Sequence, residues 1–444
     1  MPSSRRRAVP KLSIPIQRFE LACGAVLLVS PRPSAPIAAV QIHVRGGSSR
    51  DPQGREGTAF LTGALADQGT EQYDEEEIVA MLEPEGGEIA GDAGGLSGAI
   101  VNERWELLLE MLVLMMTSAT YPSKEVARQK QRLLDRLLVE RDDPRVQGAL
   151  MFRKLVYGDH WLGRAGRGTL ESLPKITPRH LAEFRKANWT GRRTVIAVSG
   201  DVEGAVVKRV LEKLLQKWPA GERVVPEPPK FPPVARRVGV FTAPRQQVHV
   251  YLGHLGIARN DPDYAALVVM DHVLGTGPGF TNRVSRILRD ELGLAYTVSA
   301  NIHGSAGLLP GLFTAYIGTS PGQVGTAVKG FVGEIRRIQK ELVGKEELEV
   351  AKSYLIGSFP LGFERSSRRA SYLVSAEVHG FPQDHLERLL QEFAQVTAED
   401  VRRVARKHLF PEASCVAAAG PLKASDLTRA IGSRVDGRVK RATV

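Results

Sequence analysis

The sequence predicts an α+β fold of two homologous domains, each an antiparallel sheet with helices packed on one face. Three observations lead there. Between positions 218 and 233, six prolines fall within sixteen residues, a density that helices and central strands exclude because proline fixes φ and has no amide donor. This segment divides the 444 residues almost in half. The halves also repeat. Ile176-Thr177, Leu181, Phe184, Trp189 and Ser199-Gly200 recur 220 positions later as Val396-Thr397, Val401, Val404, Leu409 and Ala419-Gly420. Finally, strand patterns in each half are followed by runs of long helical patterns, the order expected of an antiparallel sheet with layered helices.

Taken in chain order, residues 1–12 are basic and proline-interrupted and are expected to be disordered. The first domain spans 13–217. Its strand at 37–44 leads through a loop into an apolar helix ending at Gly69-Thr70. Helices are predicted over 103–116 and 124–141. The apolar run 107–116 is broken by Glu110 and is much shorter than the roughly 20 residues a bilayer span needs, so it reads as a buried helix. Thr177 and Thr397 each sit where an N-cap belongs, and the strand after each helix stops at glycine. A proline-rich linker over 218–236 joins the second domain, 237–432. There a strand at 247–252 leads to a helix ending at Gly275-Thr276. A helix over 281–291 puts Val284, Ile287 and Leu288 inward and stops at Gly293, and a strand follows over 296–302. Helices over 323–341 and 345–355 follow, and the tail 433–444 is expected to be disordered.

Composition removes several function classes. With 43% hydrophobic and 25% charged residues the chain is an ordinary globular protein. Cys23 and Cys415 stand at opposite ends, which excludes a disulfide scaffold and a cysteine-rich zinc site. The net charge of +11 is spread over the termini and over helical faces such as Arg128, Lys130, Arg132 and Arg136. No base-stacking or groove-reading motif accompanies it, so no nucleic-acid partner is expected. Pro10, Lys11, Pro15 and Arg18 interrupt any apolar leader, and a cytoplasmic location is the resulting expectation.

Catalytic motifs are also missing. None of the ten histidines has another four residues away, so no helix presents the two-histidine face that zinc hydrolases use. There is no nucleophile elbow and no phosphate loop. Gly275, Gly277 and Gly279 enrich one loop in glycine, but no lysine follows and Pro278 removes an amide. Arg289 and Tyr296 remain. An arginine on the last turn of a helix and a tyrosine just past the turn can converge, offering a guanidinium fork and a phenol to a carbonyl or oxyanion. Taken alone, the two read more readily as surface decoration and packing than as a site, since Arg-Asp-Glu at a helix end and a tyrosine opening a strand are both common.

The order of short motifs supplies the context. Ser48-Ser49-Arg50-Asp51 precedes the first helix, and Gln68-Gly69-Thr70 follows it. Tyr157-Gly158-Asp159-His160-Trp161-Leu162-Gly163-Arg164, Gly168-Thr169 and Val198-Ser199-Gly200-Asp201 come next. Leu274-Gly275-Thr276-Gly277 and Leu288-Arg289 through Gly293-Leu294-Ala295-Tyr296 lie in the second half. In this series the chain resembles the M16 (pitrilysin or insulinase-like) zinc peptidases, close to the short-chain branch that includes the mitochondrial processing peptidase.

The resemblance implies that a His-x-x-Glu-His helix should lie between the first two motifs. Here Phe60, Gly63 and Ala64 hold those positions and Asp135 falls near the third ligand's place, so no metal or other cofactor is expected in this chain. The family's substrate-aligning edge strand corresponds to Ala90-Gly91-Asp92-Ala93. The resemblance further implies that Arg289 and Tyr296, seven residues apart, match the pair by which one subunit of bacterial two-chain relatives orients peptide and stabilises the transition state at its partner's zinc. Gly275 to Gly279 would be the loop that admits substrate. The expectation is a non-catalytic subunit, inactive alone, heterodimeric with a zinc-bearing homologue. The alternative is an inert structural or binding protein of the same fold.

Overall fold

In the computed structural model, residues 9–223, 228–278 and 281–432 are described. Of the ends expected to be disordered, 1–12 and 433–444, residues 1–8 and 433–444 fall outside these residues, whereas Val9 and Leu12 are partly buried against the hydrophobic cores. The first half runs β1 (Gln17–Glu20), β2 (Val26–Pro31), β3 (Ile37–Val44), α1 (Thr58–Ala64), α2 (Glu75–Leu82), β4 (Glu88–Asp92) and β5 (Gly95–Val101). It continues with α3 (Trp105–Ser118), α4 (Ser123–Arg141), α5 (Pro144–Tyr157), α6 (Pro178–Asn188), β6 (Thr194–Gly200) and α7 (Gly204–Leu214). The second half contains β7 (Val238–Thr242), β8 (Val248–Leu255), α8 (Tyr264–Asp271), β9 (Val298–Asn301), β10 (Leu312–Thr319) and α9 (Val324–Lys340). It closes with α10 (Lys345–Ser358), α11 (Ser366–His379), α12 (His385–Gln395), α13 (Ala398–His408), β11 (Cys415–Gly420) and α14 (Ala424–Ile431).

The two sheets have one topology. Their strand orders are β1-β2-β6-β3-β5-β4 and β7-β11-β8-β10-β9. With β1 set aside, the orders correspond strand for strand, including a single parallel pair in each, β2 with β6 and β7 with β11. The repeat is anchored by local chemistry. Thr177 and Thr397 both form capping boxes, with His180 and Asp400 as the reciprocal partners. Inner-face residues such as Val40, Ile42, Ile196 and Val198 pack on Leu108, Leu112 and Leu211 in the first half. Val250, Phe313 and Ile317 pack on Phe331, Ile335 and Val404 in the second.

The opposite face of each sheet is covered by one helix from the other half. From α5, Met151, Phe152 and Val156 pack on Tyr251, Tyr316 and Ala417. From α11, Ala370, Leu373 and Val374 pack on Leu28, Val195 and Ala197. Polar contacts pin both exchanges: the Tyr251 hydroxyl donates to the Arg145 carbonyl at 2.9 Å, and Arg18 makes a two-pronged pair with Glu377 at 2.9 Å. Local pattern cannot reveal such an exchange, because it depends on which apolar helix face meets which sheet.

Two expected elements differ in detail. The helix over 281–291 widens into a π-helix at Ser285–Glu291, where Leu292 N–H reaches back to the Ile287 carbonyl at 3.0 Å. The strand expected from Tyr296 begins at Val298, because the ladder with β10 starts at the pairing of Val298 with Ile317.

Candidate functional site

The helix that a zinc motif would occupy is held firmly from its start. Asp51 accepts from the amides of Gly57 at 2.9 Å and Ala59 at 2.7 Å, serving the unpaired donors of the first turn of α1. Burial nevertheless pushes its carboxyl up to about 6, against those two bonds. Behind it the Ser172 hydroxyl donates to the Glu56 carbonyl at 2.8 Å. Gly57, with φ of 97°, lets α1 start hard against the backbone of Arg167 and Gly168. The motifs flanking α1 therefore perform structural work that is independent of metal.

What α1 presents differs from a metal site. Phe60 lies beneath the Arg167 guanidinium, 5.7 Å from ring centre to Cζ. Gly63 is buried against the edge strand β4: a Cβ there would stand 1.9 Å from the Asp92 carbonyl oxygen, and one at Gly91 2.1 Å from the Gly63 carbonyl oxygen. The backbones of α1 and β4 thus touch where a side chain at 63 would have to pass. Ala64 is half-buried and offers no donor atom. Asp135 sits on α4 and accepts from Gln131 one turn earlier at 2.8 Å, the ordinary arrangement of a solvated helix face. These four positions do not assemble a ligand set. The contact at Asp92 also obstructs strand addition at that end of β4, since an added peptide needs its edge amide and carbonyl.

One compact acid–histidine group occurs among the described residues, Asp261, Asp263 and His408. Asp263 is already bonded by Arg403 at 2.6 Å, Lys407 at 2.7 Å and His408 at 2.8 Å. Three donors from α13 oppose an incoming cation. The group ties α13 to the start of α8.

In the second domain α8 continues as a π-helix over His272–Thr276. Gly275 lies against β9, where a Cβ would be 2.4 Å from the Ala300 nitrogen and oxygen. The following turn is bonded internally: Thr281 Oγ1 donates to the Pro278 carbonyl at 2.9 Å, and Asn282 Oδ1 accepts from the Ser285 amide at 2.9 Å. Gly277 adjoins the His272 carbonyl, and Gly279 lies outside the described residues. π-Turns inside α-helices are frequently found at functional sites.

Arg289 and Tyr296 belong to one connection. Arg289 is on the last π-turn, donates through Nε to Asp290 at 2.8 Å, and has a side chain only 19% exposed. Gly293, at φ of 62°, reverses the chain. Tyr296 then stands 87% exposed, two residues before β9, and Leu292, on the other side of the Gly293 turn, is 49% exposed. A tyrosine so displayed buries little of its ring against its own fold. Arg283, which sequence reasoning passed over, is buried and forks onto Glu347 with two 2.8 Å bonds. The available signal was its four-residue spacing from Ile287, which puts a cation on the inward face where only a paired one is tolerated.

No helix among the described residues is long and apolar enough to cross a membrane. Comparison with known proteins places this geometry. Residues 26–137 match the family model for insulinase (peptidase family M16), and residues 175–355 match the model described as the peptidase M16 inactive domain. The chain is 26% identical over 424 residues to an uncharacterized zinc protease of Streptomyces coelicolor, covering 93% of this chain and 91% of that one. It is 24% identical over 383 residues to a Helicobacter pylori protein named a non-peptidase homolog, covering 84% and 86%. Among solved structures, a Pseudomonas fluorescens peptidase M16 inactive domain aligns with TM-score 0.85 and 25% identity over 92% of this chain and 98% of that one. A Helicobacter pylori protease aligns with TM-score 0.84 at 19% identity over 92% and 100%, a likeness of fold.

Proposed function

Because the chain belongs to the M16 peptidase family yet has Phe60, Gly63 and Ala64 where the zinc motif would stand, we propose that it is the zinc-free subunit of a two-chain metallopeptidase. In this reading Arg289 and Tyr296 act on peptide bound at the zinc of a homologous partner. The partner's metal would activate water there. This chain's residues contribute hydrogen bonds: the guanidinium fork of Arg289 holds a substrate carbonyl, and the Tyr296 phenol donates to the oxygen that gains charge as the tetrahedral state forms.

The observation that carries the proposal is the display of Tyr296, 87% exposed beyond the Gly293 turn. The backbone contact between Gly63 and Asp92 supports the complementary half, since it leaves no room for a catalytic side chain at that position. The inert structural reading takes its support from the Arg289–Asp290 pair, which a purely structural arginine would also make.

Reconstitution tests the proposal. The chain is mixed with a homologue that carries an intact His-x-x-Glu-His motif, and complex formation and cleavage of a quenched peptide are followed together. Activity confined to the mixture, rising to a one-to-one plateau, is the expected result. Full activity of the homologue alone rejects the helper role.

A further inference from the structure

A cavity of about 570 Å³ opens between the π-wound segment, the turn before it and the start of α10. Its wall brings together features that attract a carboxylate. The first is the N-terminus of α10, a helix of 14 residues whose N-cap, Gly344, supplies no side-chain acceptor for the first amides. Such an end carries a partial positive charge and unpaired donors. The second is Arg283, whose side chain is 5% exposed. Nε and Nη2 of Arg283 are committed to Glu347, and Nη1 is buried without a hydrogen-bond partner. The third is a pair of further cations in the wall, Arg286 and Lys345; Arg286 meets an acid loosely, Glu291 at 3.8 Å.

Three acids line the wall, and Glu346, exposed on the first turn of α10, offsets one of its four cations, Arg283, Arg286, Arg337 and Lys345. Glu347 is held by Arg283 and Glu341 by Arg337 at 2.9 Å. One side of the lining is apolar, with Val273, Leu342 and Val350, beside the polar His272 and Thr281. A small inorganic anion would leave that side unfilled. We propose that this cavity binds the free C-terminal carboxylate of a peptide whose last side chain is apolar. The carboxylate sits at the α10 N-terminus between Arg286 and Lys345, with the Arg283 guanidinium behind it. The choice of a peptide over other carboxylates rests on the peptidase reading above; the preference for a carboxylate does not.

The test is calorimetric titration of the full chain alone with Ala-Ala-Leu, its C-terminal amide, 4-methylpentanoate and inorganic phosphate. The expected result is binding of the free-acid tripeptide, with the amide weaker by about tenfold or more, the worth of one charge-assisted hydrogen bond. Arg286→Gln and Lys345→Gln should each weaken the free acid without lowering the thermal midpoint, because both residues are exposed. Arg283→Lys keeps a cation opposite Glu347 and should weaken binding as well. Equal affinity for acid and amide, or no binding at millimolar tripeptide, overturns the carboxylate site. Phosphate or 4-methylpentanoate binding as tightly as the tripeptide overturns the peptide assignment. No partner protein is present, so these outcomes are read independently of the reconstitution assay.

Discussion

Arg289 and Tyr296 differ in what their loss should do. Tyr296 is 87% exposed, so Tyr296→Phe should leave the thermal midpoint unchanged while reducing kcat of the reconstituted peptidase by about 10²- to 10³-fold, as loss of one oxyanion donor does. Arg289→Ala should act on KM as well as kcat if the guanidinium holds the substrate carbonyl in the ground state. Steady-state kinetics on the mixture separate the two; a stability change without a kinetic change would make both residues packing. His254 supplies a prediction of a different kind. It is buried, its Nε2 accepts from the Phe410 amide at 3.0 Å and Nδ1 faces the Leu255 carbonyl at 2.9 Å, so the neutral ring is the form that fits. Burial holds its pKa down to about 4 from an ordinary 6.5. A folded value below the unfolded one means stability is present above about pH 6.5 and is lost as pH falls through 4. The loss amounts to about 3 kcal/mol. Thermal midpoints between pH 7 and pH 4 should drop less steeply in His254→Gln than in the native chain.

Gly63 and Gly91 decide what α1 and β4 can do together. Restoring His, Glu and His at 60, 63 and 64 should not restore a zinc site, because the added side chain at 63 meets the Asp92 carbonyl. Even Gly63→Ala is expected to destabilise by about 1–3 kcal/mol, the usual cost of overpacking, measurable by urea unfolding; a neutral effect would mean that β4 yields easily. Much of this element was legible in sequence. The flanking Asp51 and Gly69-Thr70 are local signals, and the loss of donor atoms at 60, 63 and 64 is direct. The backbone contact was not legible, since it depends on how closely two elements approach. The π-winding of Ser285–Glu291 was hidden for a similar reason: its apolar spacing at 284, 287 and 288 also fits an α-helix, and hydrogen-bond register is invisible to side-chain pattern.

The repeated strand order was legible in outline, because caps at Thr177 and Thr397 and strand-ending glycines at 200 and 420 recur in step. The reciprocal placement of α5 and α11 was not. Each sheet needs a helix from the other half to bury its second face, so the halves are expected to unfold together. Calorimetry should give one transition, and Leu373→Ala, which empties a fully buried position in this junction, should lower it by about 2–5 kcal/mol as one unit. Two resolved transitions would mean that the halves are independent. Within this arrangement Leu294 is buried in the second core while Tyr296, two residues on, stays 87% exposed, as a side chain that works on another chain's site requires.

The central claim is tested most directly by titrating a zinc-bearing homologue with either the native chain or the Arg289→Ala, Tyr296→Phe double variant and following peptide cleavage. Complex formation is measured in the same samples. The account predicts that both chains bind the homologue equally and that only the native one raises the rate. Equal activation by the two chains would contradict it.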